Sequence, residues 1–115
     1  MASIAAYAHH ALETGDVIIH TVLLYPKPET SAEEIGTALA HVQNLQRTIP
    51  GLLSVQAGPN LNSSNNHGYT YGFVMRFASK EHLRDYAPHP AHRQVSDELV
   101  SISQSIIDFD LETAS

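Results

Sequence analysis

The residues with the most chemical potential lie close together late in the chain. Tyr86 is followed, after Ala87-Pro88, by His89-Pro90-Ala91-His92, and a third histidine, His20, sits in a run of β-branched side chains. Imidazole titrates near neutrality and can both take and return a proton, while a neighbouring phenol can donate to a carbonyl or to an enolate oxygen. That combination points to general acid/base chemistry. Two other readings of the same residues stay open: hydrogen-bonded core side chains in which each histidine satisfies a backbone carbonyl, and a metal site drawing on His89, His92 and a carboxylate. No carboxylate is paired with the His-x-x-His spacing, so no metal is assigned.

Histidine is plentiful for a chain of this kind. Eight are present against six Lys and Arg, and protonating all eight would move the formal charge from −6 to +2. The 115 residues make one domain, and 43% hydrophobic content is enough for a layered core. Six scattered cations in an acidic chain cannot form a phosphate-neutralising stripe, which excludes nucleic acid and an anionic membrane surface as partners. With no cysteine there is no disulfide, thiolate metal site or thiol nucleophile. Residues 1–16 lack the charged and apolar regions of a secretory signal, and no apolar run reaches membrane-spanning length. The expectation is a cytoplasmic protein with an N-terminal extension over 1–16 and one domain over 17–112. A nucleophile elbow, a phosphate loop, a dinucleotide fingerprint and a zinc helix are all missing from the sequence.

The elements that must position these side chains can be read from periodicity. Residues 17–25 form a strand, ended by Pro26 and Pro28. Ser31 and Glu34 make a capping box for a helix whose apolar stripe is Ile35, Leu39, Val42, Leu45 and Ile49, stopped by Pro50-Gly51. Residues 52–57 read as a second strand, 58–67 as a polar loop, and 69–77 as a third strand with Tyr69, Tyr71, Phe73, Met75 and Phe77 on one face. Ser79 caps a short helix carrying Leu83 and Tyr86, and the chain breaks at Ala87-Pro88. It restarts at His89-Pro90 as a helix presenting Val95, Leu99 and Ile102, and a last strand spans 106–111. The order β-α-β-β-α-β, with a broken second helix, predicts an α+β ferredoxin-like sheet with its helices on one face. The bare face, with Val17, Ile19, Leu23 and Val74, predicts a homodimer packed sheet to sheet.

Faces separate the histidines. On the last helix His92 falls about 55° from the centre of the buried stripe, whereas His89 at the cap projects away. His20 shares a strand face with Ile18, Val22 and Leu24, and Tyr86 turns inward three residues after Leu83. His20, Tyr86 and His92 are therefore expected to converge beneath the broken helix, with Tyr69 or Tyr71 on an adjacent strand. His9, His10, His41, His67 and His82 are expected to be solvated.

The strand with His20, the run Gly68-Tyr69-Thr70-Tyr71-Gly72-Phe73-Val74-Met75-Arg76-Phe77, and Asp85-Tyr86-Ala87-Pro88-His89-Pro90-Ala91-His92 resemble the stress-responsive A/B barrel (Dabb) domain family, over residues 16–111. The resemblance implies a dimeric α+β barrel in which two four-stranded sheets face each other. Some members look like stress proteins without an established reaction, whereas a plant polyketide cyclase of the family performs an intramolecular aldol condensation without a cofactor. Its catalytic Tyr and His fall here on Tyr86 and His92, and its strand His on His20. One departure is Tyr71, which stands where the cyclase has a histidine.

The resulting expectation is a cofactor-free cyclase, lyase or isomerase acting on a carbonyl-containing, aromatic or polyketide-like small molecule. His92 would abstract a proton α to the carbonyl, Tyr86 and Tyr71 would stabilise the enolate oxygen, and His20 would orient substrate or water. Tyr69, Phe73, Ile18, Val22, Leu24, Leu99 and His89 complete the expected substrate-binding set. The alternatives are a non-enzymatic stress-responsive or ligand-binding dimer and, further off, a cofactor-independent monooxygenase.

Overall fold

A computed structural model describes residues 17–113. The extension over 1–16, with His9 and His10, lies outside the described residues. Strand β1 (Ile18–Pro26) is followed by helix α1 (Ala32–Asn44), a 3₁₀ turn (Leu45–Arg47), β2 (Leu52–Pro59), β3 (Tyr71–Phe77), α2 (Lys80–Tyr86), α3 (Pro90–Ile102) and β4 (Ser103–Glu112). The four strands form one sheet in the order β2-β3-β1-β4, every neighbouring pair antiparallel. This is the ferredoxin-like topology that the order of elements predicts.

Local chemistry sets the boundaries. The Ser31 hydroxyl accepts from the Glu34 amide and the Glu34 carboxylate accepts from the Ser31 amide, both at 3.0 Å, so the capping box closes as its residues dictate. The α-helical part of the first helix stops at Asn44, and the apolar stripe is carried on by the 3₁₀ turn to a buried Leu45 and then Ile49. Gly51 turns the chain at φ +77°, where a Cβ would sit 2.2 Å from the His82 ring. His82 is accordingly half-buried, its Nδ1 2.7 Å from the Ser79 hydroxyl, and not the solvated residue that sequence position implied.

Alternation along β1 buries Ile18, His20, Val22 and Leu24 under the helices. Phe73, Met75 and Phe77 do the same on β3, and Ile35, Ala38, Leu39 and Val42 of α1 close over them. Among the described residues nothing covers the opposite face of the sheet. Val74 of β3 and Ile107, Phe109 and Leu111 of β4 are exposed there, Phe109 to 59%. A bulge in β2 between Leu52 and Ser54 turns Leu53 outward as well.

Candidate active site

The break between α2 and α3 builds the site. Pro88 and Pro90 supply no amide donors, so the helix cannot run through. The His89 ring takes over the start of α3, its Nδ1 accepting from the Ala91 amide at 3.1 Å. In an unbroken helix that amide would go to the Ala87 carbonyl. Freed from it, the Ala87 carbonyl accepts instead from Nδ1 of His92 at 2.9 Å. A carbonyl can only accept, so Nδ1 carries the hydrogen and Nε2 of a neutral His92 keeps its lone pair.

Tyr86, the last residue of α2, lies between three rings. Its centroid is 4.2 Å from that of His92, 5.0 Å from Phe77 and 6.0 Å from His20. It is only 4% exposed, and burial together with the nearby Asp108 carboxylate pushes its hydroxyl above the ordinary tyrosine range. Tyr86 is thus held as a neutral phenol, a donor and not a base. Among the described residues none hydrogen-bonds to its hydroxyl.

His20 is buried on β1 with Nδ1 hydrogen-bonded to the Asp110 carboxylate of β4. Register explains the pair: β1 and β4 run antiparallel with His20 opposite Asp110 and Val22 opposite Asp108. Since the carboxylate accepts, Nδ1 of His20 is the protonated nitrogen and the ring orientation is fixed.

These side chains line a cavity of about 470 Å³ between α3 and the sheet. His20, Val22, Phe73, Tyr86, His92 and Leu99 are in its wall, joined by Leu83, Ala87, Val95, Ser96, Val100, Ile106, Asp108 and Asp110. Sequence reasoning did not reach the two aspartates. Their signal is the alternation in β4, where Ile106, Asp108 and Asp110 share one face and Ile107, Phe109 and Leu111 the other.

Other expected site residues are placed elsewhere. Ile18 and Leu24 are in the closed core, 3% and 1% exposed. His89 is occupied with capping α3. Tyr69 precedes β3, stacks edge-on against Tyr25 and shares a 2.9 Å hydrogen bond with Ser105. Tyr71 lines a more open hollow with Thr21, Leu23, Gln56, Gly72 and Val74. Neither tyrosine is in the wall of the His20–Tyr86–His92 cavity. His41 is exposed and bonded to Glu98 at 2.8 Å, and His67 is exposed at φ +51°. Among the described residues no three His, Asp or Glu side chains are grouped to hold a metal ion.

The arrangement can carry out proton transfer: a histidine with a fixed lone pair, a neutral phenol beside it, and a carboxylate-oriented imidazole, all in one largely apolar cavity. Comparison with known proteins places this geometry in context. The model of the stress responsive A/B barrel domain matches residues 18–113. A stress-response A/B barrel domain-containing protein of Arabidopsis thaliana is 32% identical over 81 residues, 70% of this chain and 74% of that protein. Olivetolic acid cyclase of Cannabis sativa is 29% identical over 92 residues, 79% of this chain and 91% of the cyclase. A dimeric ferredoxin-like protein of unknown function from Jannaschia superposes with a TM-score of 0.76 at 32% identity, covering 84% of this chain and 99% of its own.

Proposed function

This chain belongs to the stress responsive A/B barrel domain family, and from that membership we propose that it is a cofactor-free enzyme of the cyclase, lyase or isomerase type. Its substrate is a carbonyl-bearing, carbon-rich small molecule, aromatic or polyketide-like, matched to a cavity walled by Val22, Phe73, Val95 and Leu99. The observation that carries the reading is the pairing of Tyr86 and His92 at 4.2 Å, with the His92 tautomer set by the Ala87 carbonyl.

In the proposed reaction Nε2 of His92 takes a proton from the carbon α to the carbonyl. The C–H electron pair moves into the carbonyl, and the Tyr86 hydroxyl donates a hydrogen bond to the enolate oxygen as charge develops there. His20, held by Asp110, orients the substrate or a water. The enolate carbon then attacks a second carbonyl of the same molecule, whose C=O π pair moves onto its oxygen and takes the proton from His92, or it takes that proton back itself. Two identical subunits packed through their uncovered sheet faces form the working unit, a reading supported by the apolar row Val74, Ile107, Phe109 and Leu111 and by a relative described as dimeric.

The test is exchange of α-hydrogen for deuterium in a phenyl-substituted alkyl ketone such as 4-phenyl-2-butanone, followed by NMR in heavy water. Wild-type protein accelerates exchange above buffer, and His92→Ala removes the acceleration. Equal exchange in the two proteins refutes the assignment. A non-enzymatic ligand-binding dimer is the second reading, favoured by the packing of Tyr86 on Phe77. It requires ligand binding with no exchange above buffer in either protein.

A further inference from the structure

One group in the cavity wall has no part in the proton transfer. Asp108 lies opposite Val22 on β4, on the same face as Ile106 and Asp110, and borders the cavity that holds Tyr86. The lining contains two carboxylates and no lysine or arginine. The charge of Asp110 is directed at His20. Among the described residues Asp108 has no ion-pair partner, and it shares the cavity wall with Tyr86, where its charge, after burial, helps keep the hydroxyl protonated.

A carboxylate at the rim of an apolar cavity, with no cation to offset it, acts on whatever enters. An anionic ligand is repelled as it loses water, and a cationic one is attracted. We infer that Asp108 is a charge-specificity determinant, admitting carbonyl compounds that are neutral or carry a protonated amine and rejecting those that carry a carboxylate or phosphate. This rests on the cavity being the substrate site proposed above. Specificity here comes from repulsion of the wrong ligand as much as from attraction of the right one.

The experiment compares three 4-phenyl-2-butanones of matched shape, substituted at the para position with aminomethyl, hydroxymethyl or carboxylate, by calorimetric titration at a fixed pH. Wild-type protein binds the amine most tightly and the acid most weakly, with an amine-to-acid ratio of roughly tenfold or more, the size of one close charge interaction near a surface. Asp108→Asn brings that ratio to within about twofold. Glu98→Gln removes the same unit of charge on α3 outside this cavity, and it keeps the wild-type ratio. Equal affinity of amine and acid for wild-type protein overturns the inference, as does persistence of the ratio in Asp108→Asn or its loss in Glu98→Gln. Absence of binding by all three ligands overturns it as well. His92→Ala separates the two proposals: it abolishes α-hydrogen exchange but leaves the charge preference intact. If wild-type protein shows the preference without exchange, the chemistry fails while the role of Asp108 stands.

Discussion

Replacing Tyr86 by phenylalanine separates packing from chemistry, because it keeps a ring that is 4% exposed and removes one oxygen. The ring contacts with His92 at 4.2 Å and Phe77 at 5.0 Å survive. No described residue hydrogen-bonds to the hydroxyl, so the substitution breaks no bond within the described protein. A buried hydroxyl without a partner costs about 1–3 kcal/mol, and one that reaches water inside a cavity costs much less. Stability should therefore stay level or rise by up to about 1 kcal/mol, a gain in Tm of no more than roughly 6 °C for a domain of this length. The rate behaves differently. Removing one donor aimed at a developing oxyanion lowers turnover by roughly 10²–10³-fold, or about 3–4 kcal/mol. The assay pairs a thermal melt with α-hydrogen exchange on one preparation of each protein. Exchange by Tyr86→Phe at the wild-type rate would refute the donor role. A fall in Tm of more than about 10 °C would show that the hydroxyl holds the fold together, contrary to the geometry.

Three further outcomes follow from the same structure. Asp110→Asn removes the carboxylate that holds His20, and exchange should fall by about tenfold with the melting temperature changing little, as read from the kcat and KM of the variant. Ile107→Glu combined with Phe109→Glu places charges on the uncovered sheet face and should convert a dimer into a monomer by light scattering, unchanged mass being the refuting result. The raised Tyr86 value makes stability depend on alkaline pH: the folded chain holds this proton more tightly than the unfolded one, whose tyrosine ionises near 10.0. The contribution is fully present below that value and is lost as pH rises from it through the folded-state value. Urea unfolding at about pH 9 and about pH 11 should show this loss in wild-type protein and a smaller loss in Tyr86→Phe.

How far the sequence reached depends on whether a feature is local. Helix periodicity is enough to turn His92 and Tyr86 inward, and strand alternation is enough to bury His20 with Val22, because each rests on the geometry of a single element. The capping box and the proline break are local too, and they appear where their residues stand. Asp110 meets His20 across 90 residues of chain, through a strand register that no local pattern states. Starting the strand alternation too early puts Tyr69 in the site, whereas Tyr71 does stand on β3 but opposite Leu24, at the end away from His20, where it lines the open hollow. The strand begins only at Tyr71, and the Tyr69 hydroxyl is drawn to Ser105 at the far end of the chain. His89 reads as the cap of the last helix from its position before Pro90, and the structure puts its Nδ1 within reach of the Ala91 amide, so the ring is taken up there and does not join the cavity wall as the expected substrate-binding set had it.

Strand β4 is an edge strand whose two faces carry opposite chemistry, carboxylates toward the cavity and Ile107, Phe109 and Leu111 toward the uncovered side. Inserting or deleting one residue between 103 and 107 would turn both rows over together, putting Phe109 against His20 and Val22 and the aspartates among the apolar side chains outside. Two residues gained or lost would restore both. A single-residue change in this segment therefore disturbs the carboxylate side and the apolar side in one event, whereas a change of two keeps both faces and brings a different residue opposite His20.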